Sequence, residues 1–239
     1  IKNIALAGHA GTGKTTLMEA LLYQGGCTER MGSVAAGTTV SDYTPEEIKR
    51  HSSVCTATGS IQLDGLKVNL LDTPGMFDFA GGMIQGISAA DCVMITVSGK
   101  SGVRVGTKKA YRAAAGKPRM FVVTKLDDEN ANFYNVLTDL KSTFGPSVCP
   151  VVVPVIVDRK VDSYINLIEM KAYRYDADGK AQEIPMPTSE VSEKLSYRVD
   201  GLIQAFSEAI AETDETLFEK FFSGEEFTQK ERVDGIHKG

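Results

Sequence analysis

The apolar positions in the first half of the chain fall into short runs that alternate with helix-spaced stretches. Ile4-Ala5-Leu6-Ala7 stops at Gly8, and Val68-Asn69-Leu70-Leu71 stops at Asp72. Cys92 to Val97 and Arg119 to Val123 form two more runs, and a fifth lies between Pro150 and Val157. Between them the spacing predicts helices over Lys14 to Tyr23 and near residues 80–90, 104–116 and 132–144. Strand, helix, strand repeated in this way predicts an α/β fold, a mostly parallel sheet flanked by helices. Such sheets bind ligands at the carboxyl ends of their strands. Residues 25–60 interrupt the alternation. They are rich in Gly, Thr, Ser and charge, and read as a long functional loop or as a disordered insertion.

Beyond residue 157 the period changes. Ile168, Met170 and Ala172 alternate with Glu169 and Lys171, which predicts a strand. Asp178-Gly179 is a hairpin-turn signal, and Pro185 and Pro187 end the return strand. Val191, Leu195, Val199, Leu202, Phe206 and Ile210 follow helical spacing. Leu217, Phe218, Phe221 and Phe222 mark a short helix stopped at Gly224, and Thr228 with Glu231 forms a capping-box pattern for a last one. The expected second unit is a small α+β insertion, a hairpin plus helices.

Composition narrows the class. A chain of 239 residues that is 42% hydrophobic can build a core without disulfide or metal staples. Its net charge of −5 excludes a broadly basic nucleic-acid coat, though not a local RNA contact. Residues 188–239 carry 6 basic and 12 acidic groups, so the negative charge sits at that end, as a partner face or as a solvated helical surface. No apolar run approaches the ~18 residues of a membrane span, and no charged leader precedes the first apolar run. Cys27, Cys55, Cys92 and Cys149 lack CxxC or zinc-like spacing and read as reduced thiols of a cytoplasmic protein.

Three motifs carry chemistry. Gly8-His9-Ala10-Gly11-Thr12-Gly13-Lys14-Thr15 matches GxxxxGK[ST] directly after a strand and opens a helix, with Thr16 following. Small residues let backbone N–H groups wrap phosphates, Lys14 neutralises them, and Thr15 offers a hydroxyl to Mg²⁺. This makes the fold class a P-loop NTPase. Asp72-Thr73-Pro74-Gly75 ends a strand. Its carboxylate suits Mg²⁺ held through water, and Gly75 leaves an N–H free to meet a γ-phosphate. Thr124-Lys125-Leu126-Asp127 ends another strand and approximates the guanine pattern Asn-Lys-x-Asp. Asp127 accepts from guanine N1 and N2, the Lys125 stem covers the base, and the Thr124 hydroxyl bridges backbone groups.

In this order and spacing the chain resembles the translational GTPases, and specifically elongation factor G. Ile1-Lys2-Asn3-Ile4 leads into Gly8-His9 as it does there, and Gly37-Thr38-Thr39-Val40-Ser41-Asp42 opens what looks like the first switch. Ala131-Asn132-Phe133 follows the guanine motif, and Leu167 to Ala172 and Gly224-Glu225-Glu226 resemble the G-prime insertion of that factor. The resemblance implies a GTP/GDP-binding G domain over residues 1–157 and a G-prime-like insertion over 158–239. It also implies Mg²⁺, a ribosome-stimulated GTPase driving tRNA and mRNA translocation, and contact with the large-subunit factor site and stalk. The factor is expected to be cytoplasmic and monomeric, with no membrane contact. The family's last guanine-contacting Ser-Ala turn and closing strand have no candidate before Gly239, so the G domain reads as incomplete, with further domains beyond it.

Three positions depart from the family pattern. Gly11 stands where the P-loop commonly has Asp. Ser53, in Arg50-His51-Ser52-Ser53-Val54, takes the place of the Mg²⁺-sensing Thr and keeps its hydroxyl. Met76 replaces the His that orients the attacking water, and a thioether donates no hydrogen bond. Catalysis is therefore expected to rest on Lys14, Asp72 and Gly75 and to be slow, with His51 as a candidate replacement for the lost His. This pattern, with Thr44 to Arg50 and Ser101 to Thr107, looks closer to the divergent elongation factor G-like paralogs. Three readings stay open at this point: a ribosomal GTPase, a weakly hydrolysing GTP switch, and an unrelated P-loop ATPase.

Overall fold

The computed structural model describes residues 1–158, 160–176, 179–187 and 199–238. The chain divides into two compact units, Ile1–Ala131 and Asn132–Gly239. The first holds five strands, β1 (Lys2–Gly8), β2 (Ala57–Leu63), β3 (Leu66–Asp72), β4 (Cys92–Ser98) and β5 (Arg119–Thr124), in the order β2-β3-β1-β4-β5. The pairings β1–β3, β1–β4 and β4–β5 are parallel, and β2 adds antiparallel at the edge through the Asp64-Gly65 turn.

Four helices belong to this unit: α1 (Lys14–Gln24), α2 (Pro45–Arg50), α3 (Ala80–Ala89) and α4 (Val105–Ala113). Two apolar clusters, on opposite faces of the sheet as alternate residues of β1 require, hold them. Ala5 and Ala7 pack with Met83, Ile87, Val93, Ile95 and Ala110. Leu6 packs with Met18, Leu22, Val68 and Leu70. Because β1, β3, β4 and β5 run the same way, their carboxyl ends bring Gly8, Asp72, Ser98 and Thr124 to one edge.

The second unit holds α5 (Phe133–Phe144) and an antiparallel sheet β6-β7-β8-β9, from β6 (Val152–Val157), β7 (Lys160–Asn166), β8 (Lys171–Tyr175) and β9 (Ala181–Ile184). Helices α6 (Val199–Ala211), α7 (Glu215–Phe222) and α8 (Gln229–Lys238) follow among its described residues. The apolar run ending at Val157 is thus not a fifth parallel strand. It folds back on its sequence neighbour, pairing Val157 with Lys160 past Asp158 at φ 48°. A local hairpin closes a far shorter loop than a distant parallel pairing.

The alternation read over Ile168–Ala172 is also corrected. Residues 167–170 form a turn, because Asn166 Oδ1 accepts from the N–H groups of Ile168 (3.0 Å) and Glu169 (3.2 Å), and the strand starts at Lys171. The capping box at Thr228 and Glu231 forms as expected. Asp178 of the expected turn, and Val191 and Leu195 of the helical row, lie outside the described residues.

The interrupted segment 25–60 is ordered by two buried carboxylates. Glu19, on α1, accepts from the N–H of Gly32 (3.1 Å) and of Val40 (2.7 Å). Glu47 accepts from Thr44 and from the N–H of Val54 (3.0 Å) and Cys55 (3.2 Å). Burial alone would raise the Glu47 pKa, but these hydrogen bonds outweigh it and hold the carboxyl below its usual range. A lowered folded-state pKa supplies stability that is present above the ordinary carboxylate pKa and lost as pH falls through the folded value. Glu47→Gln leaves backbone donors mispaired and lowers stability by about 1–3 kcal/mol at neutral pH. Urea denaturation at neutral pH checks this, and an unchanged midpoint contradicts it.

Candidate nucleotide-binding site

The loop after β1 turns on glycine. Gly8, Gly11 and Gly13 have φ of 143°, 74° and 82°, the left-handed side that side chains disfavour. A Cβ at Gly8 would sit 2.6 Å from Thr96 O. Thr12 Oγ1 donates to His9 O at 2.8 Å and meets Thr96 Oγ1 at 2.6 Å, fixing the loop to β4. Ala10 and Gly11 form the crest, and Gly11 and Thr16 are exposed. The imidazole of His9 tilts against Phe77 with ring centroids 5.7 Å apart. Burial lowers the His9 pKa, and the charges of Arg104 and Lys14 lower it further.

Lys14 is buried and donates to His9 O at 3.1 Å. Burial lowers its pKa, while Asp72 and Asp42 oppose that shift. Thr15 Oγ1 donates to Asp72 Oδ2 at 2.6 Å and lies 3.2 Å from Ser53 Oγ. Thus Lys14, Thr15, Ser53 and Asp72, drawn from three distant stretches, meet at one point. Gly75 closes the turn after β3 against the loop. A Cβ there would come within 2.8 Å of the Ala10 backbone and collide with Lys14 Nζ.

Sequence reasoning did not single out Asp42. It is 4% exposed, and neither carboxylate oxygen has a hydrogen-bond partner among the described residues. Asp72 Oδ1 and Ser41 Oγ are likewise buried and unpartnered. The Ser41 and Ser53 hydroxyls bear on these carboxylates without reaching hydrogen-bond geometry. Buried oxygens left without protein partners, beside two hydroxyls and an ammonium, suit a hard divalent cation that keeps most of its ligands as water and phosphate.

Burial raises Asp42 and pushes Asp72 up to about 6, against the Thr15 hydrogen bond and the Lys14 charge. A raised folded-state pKa means stability from Asp72 that is complete below about pH 4 and lost as pH rises through about 6. Cation binding needs the carboxylate and runs the other way. Divalent-cation affinity therefore rises between about pH 5 and 7. Calorimetric titration at those pH values measures this, and a flat profile contradicts it.

At the end of β5, Thr124 Oγ1 donates to Thr12 O at 2.8 Å, tying that strand to the phosphate-type loop. Lys125 takes φ 56°, and Lys125 and Asp127 are exposed. Met76 is 37% exposed and lines a small crevice with Gly8, Gly75, Phe77, Gly106 and Lys109. His51 caps α2 in the left-handed conformation, and its Nδ1 pairs with Val34 O at 3.1 Å. It does not line the Met76 crevice.

A five-stranded α/β sheet with a GxxxxGK[ST] loop at its carboxyl edge, closing on a strand-end Asp and a Gly, defines a P-loop nucleotide-binding protein. Residues 1–226 match the family model of the elongation factor Tu GTP-binding domain, and the chain belongs to that family. Elongation factor G-like proteins of Mycobacterium tuberculosis and Thermotoga maritima are 37% identical over 240 residues and 33% over 241, each alignment covering 100% of this chain. The chain spans 32% and 33% of those proteins, about a third of their length. A crystal structure of a Thermus thermophilus protein is similar at TM-score 0.88 and 42% identity, over 100% of this chain and 36% of that one. The chain is thus a GTP-binding domain of that family, homologous to proteins named elongation factor G-like. No helix among the described residues is long and apolar enough to cross a membrane.

Proposed function

We propose that the chain is the GTP-binding domain of an elongation factor G-type protein. In this reading it binds GTP and GDP with Mg²⁺ and hydrolyses GTP at the ribosomal factor site, where the full protein acts in tRNA and mRNA translocation. The observation that supports this best is the meeting of Lys14, Thr15 and Asp72. Backbone N–H groups of Gly8 to Lys14 cradle the phosphates. Lys14 neutralises the β- and γ-phosphates, and the Gly75 N–H meets the γ-phosphate. Thr15, Ser53 and Asp72 hold Mg²⁺, with Asp42 beside them. When bound there, Mg²⁺ would supply positive charge to offset that of the phosphates. Thr124, Lys125 and Asp127 select guanine.

The same proposal takes residues 1–157 as the G domain and 158–239 as its insertion, the stalk as the insertion's partner, and the protein as a cytoplasmic monomer. A second reading has a specific observation behind it. Met76 puts a thioether where the resemblance expects a water-positioning imidazole, which favours a GTP switch that signals by occupancy with little hydrolysis. GTP turnover by the intact protein, with and without ribosomes, separates the two. Strong ribosome stimulation supports the working GTPase. Tight GTP binding with negligible stimulated turnover supports the switch. Preferential binding of ADP over GDP overturns both.

A further inference from the structure

Residues 92–126 contain eight lysines and arginines and no aspartate or glutamate, in a chain whose net charge is −5. The stretch runs from β4 through α4 to β5. Gly106, Thr107 and Ala110 are the buried residues of α4, and Arg104, Lys108, Lys109 and Arg112 are exposed. Four cations of the stretch are engaged: Lys100 pairs with Asp128 at 3.1 Å, Lys109 lies 4.3 Å over the Phe77 ring, Lys117 donates to Ser88 O and Ala90 O, and Arg119 packs on Tyr111. Arg104, Lys108 and Arg112 have no ion-pair partner among the described residues.

Lys108 and Arg112 stand one turn apart on the same side of α4, about 6 Å along its axis, and Arg104, the residue that caps the helix, precedes Lys108 by four positions. Beyond them, Arg119 stacks 4.0 Å over the Tyr111 ring and donates to Tyr111 O, which holds its guanidinium at the surface. Like charges at this spacing repel and add nothing to the fold. A protein partner favours an apolar centre poor in lysine, whereas nucleic-acid-binding surfaces are polar and strongly positive. The spacing suits successive phosphates of one strand.

We propose that this face of α4 binds the phosphate backbone of RNA. The choice of RNA over DNA rests on the translational role proposed above. The proposal goes beyond the nucleotide-site reading, because the row lies outside Gly8–Thr15 and Thr124–Asp127 and stands whether or not GTP is hydrolysed.

The test titrates the intact protein and an Arg104→Gln/Lys108→Gln/Arg112→Gln variant against a fluorescent RNA hairpin over a range of salt. Removing three phosphate contacts flattens the slope of log affinity against log salt by about 2–3. It also weakens binding by more than about tenfold at ~0.1 M salt. An Arg104→Lys/Arg112→Lys variant keeps slope and affinity. The urea-unfolding midpoint, measured alongside, is the same in all three proteins, so a folding defect is distinguishable from a lost contact. Unchanged slope and affinity in the triple variant overturn the proposal. So does binding of polyglutamate as tight as that of the hairpin, which would assign the face to an acidic protein.

Discussion

Met76→His raises ribosome-stimulated GTP turnover of the intact protein, by about 10²–10⁴-fold, the range that a positioned proton-transfer or water-orienting group contributes. Residue 76 follows Gly75, whose backbone closes on Ala10 and Lys14, so a side chain there lies next to the γ-phosphate position of the proposed site. A thioether accepts hydrogen bonds weakly and donates none, whereas an imidazole does both. Met76 is partly exposed in an open crevice, so the ring needs no repacking of the core. Single-turnover assays on ribosomes measure the change. Equal rates in the two proteins would mean that another group positions the water.

Lys14→Ala is the second large effect, in the opposite direction. It lowers GTP affinity by about 2–5 kcal/mol, roughly 30- to 5000-fold, the cost of truncating one partner of a desolvated charge pair. The ammonium sits buried against His9 O, with its charge favoured by Asp72 and Asp42. Phosphate would take over that role in the bound state, in the same dry site. Removing the cation also strips Asp72 of a group that opposes its protonation, so its pKa climbs further. Calorimetry with GTP gives the affinity. A loss under about threefold would mean that backbone N–H groups carry the phosphate charge without help.

Much of this arrangement is legible in the chain itself. Gly8 to Thr15, Asp72 and Thr124 each follow an apolar run, and parallel strands put the ends of such runs on one edge. Ser53 is placed by its spacing from Arg50 in a family pattern and comes within 3.2 Å of the Thr15 hydroxyl. The segment 25–60 is where local reading fails. Helix α2 has a usable signal, Thr44 at its cap, Pro45 at its first position and Glu47 closing the capping box.

Strand β2 gives little signal. Its alternation is half-buried, and Gly59 breaks it because a Cβ there would press on Met18 and Leu22. The roles of Glu19, Asp42 and Glu47 depend on burial. Nothing in the local sequence separates a carboxylate that gathers distant backbone N–H groups from one facing water. The run Pro150 to Val157 misleads for a related reason: apolar content predicts a strand but not its partner.

The central claim is that this edge of the sheet binds a guanine nucleotide with a divalent cation. The most direct test is titration of the protein with GDP and ADP, each with and without Mg²⁺. The account predicts that GDP binds, that Mg²⁺ strengthens it, and that ADP binds at least about 10²-fold more weakly, because a base pocket built on Asp127 leaves its carboxylate unpaired against adenine. Equal affinity for the two nucleotides, or a GDP affinity indifferent to Mg²⁺, would contradict it.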